Sequence, residues 1–272
     1  MKISILIPYK NRNLDVFKKL VADSLSLQEF DEIHVCDFGS TQNRDEMKDL
    51  CIDYNFKYSS FDFEGGICEA GIDIFLWNTL LNKMIKDAKG DVIIVSGIDK
   101  MFQNDVAEWI EETYEAFGDM FMIRTKAWQT KETTLPINET FNDIASRCYI
   151  RGYGFWGATK KMFHHCRGIR EDIRWFEELE LFGRGKLHKI PLPWINNGKK
   201  DFCRIIHFFG THLHTKNVYY RDDIRPIFRL AKTYIRDTAR PLQQDLKDWG
   251  IITNEKLERA DKLGKGLRRK II

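Results

Sequence analysis

The 272-residue sequence predicts an α/β fold: a mixed, mostly parallel central sheet with flanking helices, followed by a C-terminal helical extension. Three observations predict it. Strand and helix signals alternate through the first half of the chain, the succession that builds parallel sheets. Several apolar runs end abruptly in short polar segments, as strands do where they deliver side chains to a ligand site. With 43% hydrophobic and 31% charged residues, the chain can bury a full core inside a solvated surface.

The elements follow in order. Ile3 to Ile7 is a short β-rich run halted by Pro8. Asn13 is placed to cap a helix in which Leu14, Phe17, Leu20, Val21 and Leu25 recur at helical spacing. Glu32 to Asp37 reads as a second strand, Asn43 to Tyr54 as a polar-faced helix, and Phe56 to Phe61 as a third strand. A long helix from about Ala70 to Ala88 passes through the turn at Lys89-Gly90-Asp91 into the buried strand Val92 to Val95. Asp99 is then expected to open a helix, with Val106 to Phe117 helical and Met120 to Thr125 a further strand. The region from about Lys126 to Tyr149 has weak periodicity and reads as one long loop, a common site of binding elements. Beyond it lie the Gly- and aromatic-rich Gly152 to Gly157 and a carboxylate-rich helix from Glu171 to Phe182. His207, His212 and His214 come next, and from Asp222 the chain turns helical and basic, with a break near Gly250 to Asn254.

The bulk numbers exclude several classes. A net charge of +3 does not make a polyelectrolyte of the whole chain. From Arg221 onward, however, 14 Lys and Arg face 8 Asp and Glu, so the tail is basic and the remainder slightly acidic. Three readings of that tail stand: a packing helix with Ile224, Ile227, Phe228, Leu230 and Ile235 as its buried stripe, a membrane-surface element, or a contact for an anionic partner such as DNA. The terminal Lys262 to Lys270 run is the part placed to bind phosphates by charge alone. Six scattered cysteines without a C-x-x-C pair, and no apolar stretch of membrane-spanning length, predict a cytoplasmic protein with reduced thiols.

Taken as an ordered set, Ile3-Ser-Ile-Leu-Ile-Pro-Tyr-Lys-Asn-Arg12, Val35-Cys-Asp-Phe-Gly-Ser40, Trp77-Asn78 with Ala88-Lys-Gly-Asp-Val-Ile-Ile-Val95, and Glu177-Glu-Leu-Glu-Leu181 with Arg184 resemble the GT-A fold glycosyltransferases. The likeness is to the inverting family 2, with a galactosyltransferase-like C-terminal half. It spans about residues 2 to 217, which implies a GT-A (Rossmann-like) domain over 1–217 and an extension over 218–272. Within the domain it implies a nucleotide-binding half to about 125 and an acceptor half from about 126.

The resemblance implies roles. Asp37 would read the nucleobase; Pro8, Tyr9 and Arg12 would line the base and ribose pocket, with Ser40 as an accessory contact and Asn78 beside the donor. Trp156 would offer a platform to a sugar ring. The family's D-x-D metal motif aligns with Gly97-Ile-Asp99, so Asp99 stands at its second acid and Gly97 replaces the first. Asp99 is then a ligand for Mn²⁺ or Mg²⁺, ions that accept an oxygen-rich shell. Of the three competing histidines, His212 is preferred as its partner, then His214, because i and i+2 share one side of an extended segment. Glu178 is the candidate base, Glu177 a substrate contact, and Asp172 the second choice for base.

These parts suit one chemistry. A nucleotide-sugar has a diphosphate leaving group whose charge grows as the glycosidic bond breaks, so a cation helps, while the acceptor hydroxyl needs a base on the opposite face. The expectation is an inverting transfer from a nucleotide-sugar, UDP-linked by preference, to a glycan hydroxyl or a hydroxymethylated DNA base. Two other classes stay open. An inactive relative that binds nucleotide or glycan is favoured by Gly97, and a nucleotidyltransferase is disfavoured because Pro8-Tyr-Lys-Asn-Arg12 lacks a glycine-rich phosphate loop.

Overall fold

The computed structural model describes residues 1–61, 72–130, 136, 138–171, 177–193, 205–208 and 247–259. Within them one eight-stranded sheet runs through the molecule. Its strands are β1 (Ile3–Tyr9), β2 (Glu32–Asp37), β3 (Lys57–Ser60), β4 (Val92–Val95), β5 (Lys100–Phe102), β6 (Met122–Gln129), β7 (Tyr149–Thr159) and β8 (Ile205–His207). Their spatial order is β3-β2-β1-β4-β7-β6-β8-β5. β3, β2, β1 and β4 are mutually parallel. β7 is antiparallel to β4 and β6, β8 runs parallel to β6, and β5 is antiparallel to β8.

Helices cover both faces: α1 (Ala22–Ser26), which continues a π-type turn at Phe17–Val21, α2 (Arg44–Asp53), α3 (Ile72–Asp87), α4 (Val106–Phe117), α5 (Phe141–Ser146), α6 (Lys160–Cys166) and α7 (Glu177–Leu187). Because successive strand side chains alternate in direction, β1 feeds two cores. Ile3, Ile5 and Ile7 join the apolar faces of α1, α2 and α4. Leu6 joins α3, α6 and α7 through Leu80, Ile85, Phe163 and Leu181. This two-sided burial explains why β1 and β4 read as continuous apolar runs rather than alternating ones.

Four polar groups set the register of the parallel strands at their amino ends. The Ser4 hydroxyl donates to Glu32 Oε2 at 2.6 Å, which also accepts the Lys89 N–H at 2.9 Å, while Gly90 N–H donates to Ser4 Oγ at 2.8 Å. Position 90 requires glycine, since a Cβ there would lie 2.5 Å from Ser4 N. Glu32 is buried yet fully hydrogen-bonded, with Lys57 Nζ at 3.2 Å on its other oxygen. Its carboxyl sits below the ordinary range: burial opposes ionisation, but the Ser4, Lys89 and Lys57 contacts together outweigh it.

Several expectations hold with small shifts. Asn13 Oδ1 accepts the Asp15 N–H at 2.8 Å at the start of the first helix. The second helix runs Arg44–Asp53 and α4 spans Val106–Phe117 as read from the sequence. Others are corrected. Residues 126–149 are not one loop: β6 continues to Gln129, α5 forms behind a Thr140/Asp143 capping box, and β7 starts at Tyr149. Register shifts between Arg124 and Lys126 and again between Lys126 and Trp128 break the two-residue alternation that would have announced this strand. Gly152 to Gly157 is strand interior, where the missing side chains let β7 lie close to its neighbours: a Cβ on Gly157 would collide with the Ile93 carbonyl oxygen. Asp99 opens no helix; it leads into β5, which forms by pairing with β8. Glu171, expected inside the carboxylate-rich helix, is not helical, and the described part of that helix is α7, Glu177–Leu187.

Of the C-terminal extension, 218–246 and 260–272, with the basic run Lys262 to Lys270, lie outside the described residues. The segment 247–259 packs against α3. Glu171, with only 3% of its side chain exposed, accepts Thr79 Oγ1 and Asn82 Nδ2, each at 2.9 Å, and the Gly250 N–H, and pairs with Lys256 Nζ at 2.7 Å. Gly250 has φ +69° and a Cβ there would lie 2.9 Å from Lys83 N. Trp249 fills the same seam, its ring beneath Lys86 Nζ at 4.4 Å. Replacing Lys256 by Met leaves the Glu171 charge buried without its cation and should cost about 3 kcal/mol in urea unfolding. Lys256→Arg should recover most of that loss.

His34 supplies a pH signature. Burial, reinforced by Lys57, lowers its imidazole from the ordinary 6.5 to about 4. The unfolded chain therefore takes up a proton before the folded chain does, and this part of the stability, complete above pH 6.5, is lost as pH falls toward 4. Unfolding free energies measured across that window should drop by on the order of 3 kcal/mol more for the wild type than for His34→Gln.

Candidate active site

Parallel pairing places three polar strand ends side by side. Tyr9 is in register with Asp37 and Leu6 with Val95, so the segments 8–12, 37–43 and 96–99 leave the sheet at one edge.

Between the first two, the hinge residue is Asn11, which the sequence reading did not single out. Its φ of 44° is tolerated by asparagine better than by most residues. Its side-chain oxygen accepts the N–H groups of Thr41 (2.8 Å) and Gln42 (3.1 Å), and its own N–H donates to Ser40 Oγ (3.0 Å). An asparagine two residues beyond a strand end, a residue type that tolerates the left-handed region, is the signal that could have found it. Asp37 is fully buried. Its carboxylate accepts Ser40 N–H at 2.6 Å, Arg44 Nε at 3.2 Å and Tyr58 OH at 3.1 Å. Tyr9 is also buried, which raises its phenol to about 12, and its hydroxyl donates to the Gln42 carbonyl at 3.2 Å. Pro8 and Arg12 lie half-buried on the same edge.

At the third segment the structure brings together two residues from opposite halves of the chain. β8 lies between β6 and β5: Thr130 N–H donates to the His207 carbonyl at 3.2 Å, and Phe208 N–H to the Asp99 carbonyl at 3.0 Å. Held on both sides, His207 points Nε2 at Asp99 Oδ2 across 3.6 Å, and its Nδ1 lies 3.2 Å from the Gln129 amide nitrogen. Both side chains are mostly covered, 13% and 15% exposed. Gly97 supplies the room: a Cβ on it would stand 2.7 Å from Asp99 Oδ1, so the space at the first D-x-D position is taken by the second acid's own carboxylate. Ser96, one residue earlier, is buried with a hydroxyl that has no hydrogen-bond partner among the described residues.

These residues fit a divalent cation as a partial shell. One carboxylate oxygen and one imidazole nitrogen 3.6 Å apart are both within reach of a single ion with bonds of about 2.1 Å. Among the described residues no three His, Cys, Asp or Glu side chains gather around one point.

Not every predicted residue reaches this edge. Trp156 is 7% exposed and packs its ring against Phe163, which commits it to the core between β7 and α6. Asn78 braces the turn before α7 by donating to the Arg170 carbonyl at 2.8 Å. Asp172, His212 and His214 lie outside the described residues, as do the side chains of Glu177 and Glu178, whose backbone belongs to α7. His207, which the sequence left behind the other two histidines, is the one described beside Asp99. None of the four described cysteines is in a disulfide, and among the described residues no helix is long and apolar enough to cross a membrane.

No protein-family model matches the chain, and no curated protein matches it in sequence. Solved structures do. S. aureus TarS 1–349 in complex with UDP-GlcNAc superposes with a TM-score of 0.58 at 15% identity, covering 89% of this chain and 68% of that one. The mannosyltransferase PcManGT from Pyrobaculum calidifontis, in complex with GDP-Man and Mn²⁺, superposes with a TM-score of 0.52 at 9% identity, covering 97% and 75%. A longer S. aureus TarS chain matches with a TM-score of 0.53 at 13% identity over 76% of this chain. This chain spans 37% of the length of that TarS and 60% of its 1–349 fragment in two other structures. At such identities the likeness is one of architecture. With its mixed, mostly parallel sheet, flanking helices and polar strand ends, the chain has the GT-A glycosyltransferase fold.

Proposed function

We propose that the protein is an inverting glycosyltransferase that moves a sugar from a nucleotide-sugar, by preference UDP-linked, to an acceptor hydroxyl. The observation that carries this reading is the convergence of Asp99 and His207 at the carboxyl edge, beside the loops held by Asn11 and Asp37. In this reading Pro8, Tyr9, Arg12, Asp37 and Ser40 form the nucleoside end, and Asp99 with His207 the diphosphate end. Mn²⁺ or Mg²⁺ held by that pair would neutralise charge on the departing diphosphate. Asp99 and His207 would orient the ion, and with it the donor, from a mostly dehydrated wall where charge interactions are strong.

Glu178 on α7 is the proposed base, with Glu177 beside it as a substrate contact and Asp172 as the second choice. The acceptor oxygen attacks the anomeric carbon and loses its proton to the Glu178 carboxylate. The bond from that carbon to the phosphate oxygen breaks, and its electron pair leaves with the nucleoside diphosphate. Backside attack inverts the anomeric centre.

A glycan is the acceptor we favour. The alternative, a hydroxymethylated base in DNA, draws on the basic tail, and the described part of that tail spends Lys256 on Glu171 and Asp248.

The test is calorimetric titration of UDP with Mn²⁺ and again with EDTA. Tight binding should require the ion and fall at least about tenfold in Asp99→Ala. Gly97→Ala should lose a similar part while leaving the melting temperature nearly unchanged, because the atom its methyl group displaces is the end of a movable side chain. Binding indifferent to ion and variants would remove the metal from the mechanism. Separately, Glu178→Gln should lower single-turnover transfer by a factor of about a hundred or more with UDP affinity retained; unchanged turnover would reject Glu178 as the base.

A further inference from the structure

His207 can ligate a cation through Nε2 only if its ring proton resides on Nδ1, so whatever faces Nδ1 decides whether Asp99 has a partner ligand. The group facing it is Gln129, whose amide lies 3.2 Å away. Gln129 is 8% exposed and is the last residue of β6, in register with His207 on one side and Tyr149 on the other. We infer that Gln129 is a positioning residue that fixes the His207 ring through Nδ1 and accommodates either of its tautomers. This rests on the metal reading above.

The physical reason lies in the two ends of the amide. With its nitrogen toward Nδ1, the amide donates, and the neutral ring carries its proton on Nε2, facing the Asp99 carboxylate across 3.6 Å. A half-turn about the terminal side-chain bond exchanges nitrogen for oxygen at almost the same position. The oxygen accepts from Nδ1–H, and the Nε2 lone pair then faces the same space as Asp99 Oδ2. A carboxylate at this position would hold the second arrangement alone, and an apolar side chain would hold neither. Gln therefore lets the histidine pair with Asp99 or ligate beside it without backbone movement.

The experiment uses the full chain. Mn²⁺ affinity in the presence of UDP is measured by electron paramagnetic resonance for wild type, Gln129→Leu, Gln129→Glu and Asp99→Ala. The His207 tautomer is read from imidazole ¹⁵N shifts with UDP and Mg²⁺. Gln129→Leu should bind Mn²⁺ roughly 10- to 100-fold more weakly, Gln129→Glu at least as tightly as wild type, and the wild-type ring should be protonated on Nδ1 in the UDP–Mg²⁺ state. If Asp99→Ala abolishes ion binding but Gln129→Leu leaves it within about twofold of wild type, the Gln129 inference fails and the metal reading stands. Wild-type ion binding that is absent, or unaffected by Asp99→Ala, overturns both. Should Gln129→Leu fail to fold, the wild-type tautomer decides: a ring protonated on Nε2 in the UDP–Mg²⁺ state overturns the inference.

Discussion

The insertion of β8 between β6 and β5 is the interaction on which the proposed site depends. It is a short strand, yet its backbone is hydrogen-bonded on both sides, to Thr130 and to Asp99. Among the described residues the His207 side chain approaches Asp99 and Gln129. Interior backbone groups must find partners, and here their satisfaction does double duty: the pairing that completes the sheet also brings an imidazole to a carboxylate. β5 has the same origin, since the residues after Asp99 become a strand because β8 is there to pair with.

The parallel half of the sheet is governed by a different constraint. Four neighbouring parallel strands deliver their carboxyl ends to one edge, and their register must hold for the loops there to meet. The Ser4, Glu32 and Gly90 cluster holds it from the opposite edge, with a buried carboxylate made tolerable by its donors. Glu171 repeats the device on the other face, joining α3, the turn before α7 and the segment 247–259. Part of the C-terminal extension is thus built into the body of the domain rather than appended to it.

Gly97 shows that a departure from a motif can have a structural reason. Read along the chain it is a missing acid. In three dimensions it is the space that the Asp99 carboxylate fills, close to His207.

The sequence by itself determined the α/β class, the order of its first elements, the burial of β4 and the placing of Asp37 and Asp99 after apolar strands. Those properties are written in local periodicity and in where apolar runs stop. It misread residues 126–149, because bulges in β6 erase the alternation by which a strand is recognised, and it misread Asp99 as a helix start, because β5 has almost no local signal. It ranked His207 behind His212 and His214, which lie outside the described residues, and spacing along the chain says nothing of the contact His207 makes with Asp99. Only the tertiary structure decided that Asp99 faces His207, that Gln129 lies behind the ring, that Trp156 is core, and that Asn11 joins two loops. Each is a contact between segments far apart in sequence, fixed by backbone pairing and packing rather than by any local preference.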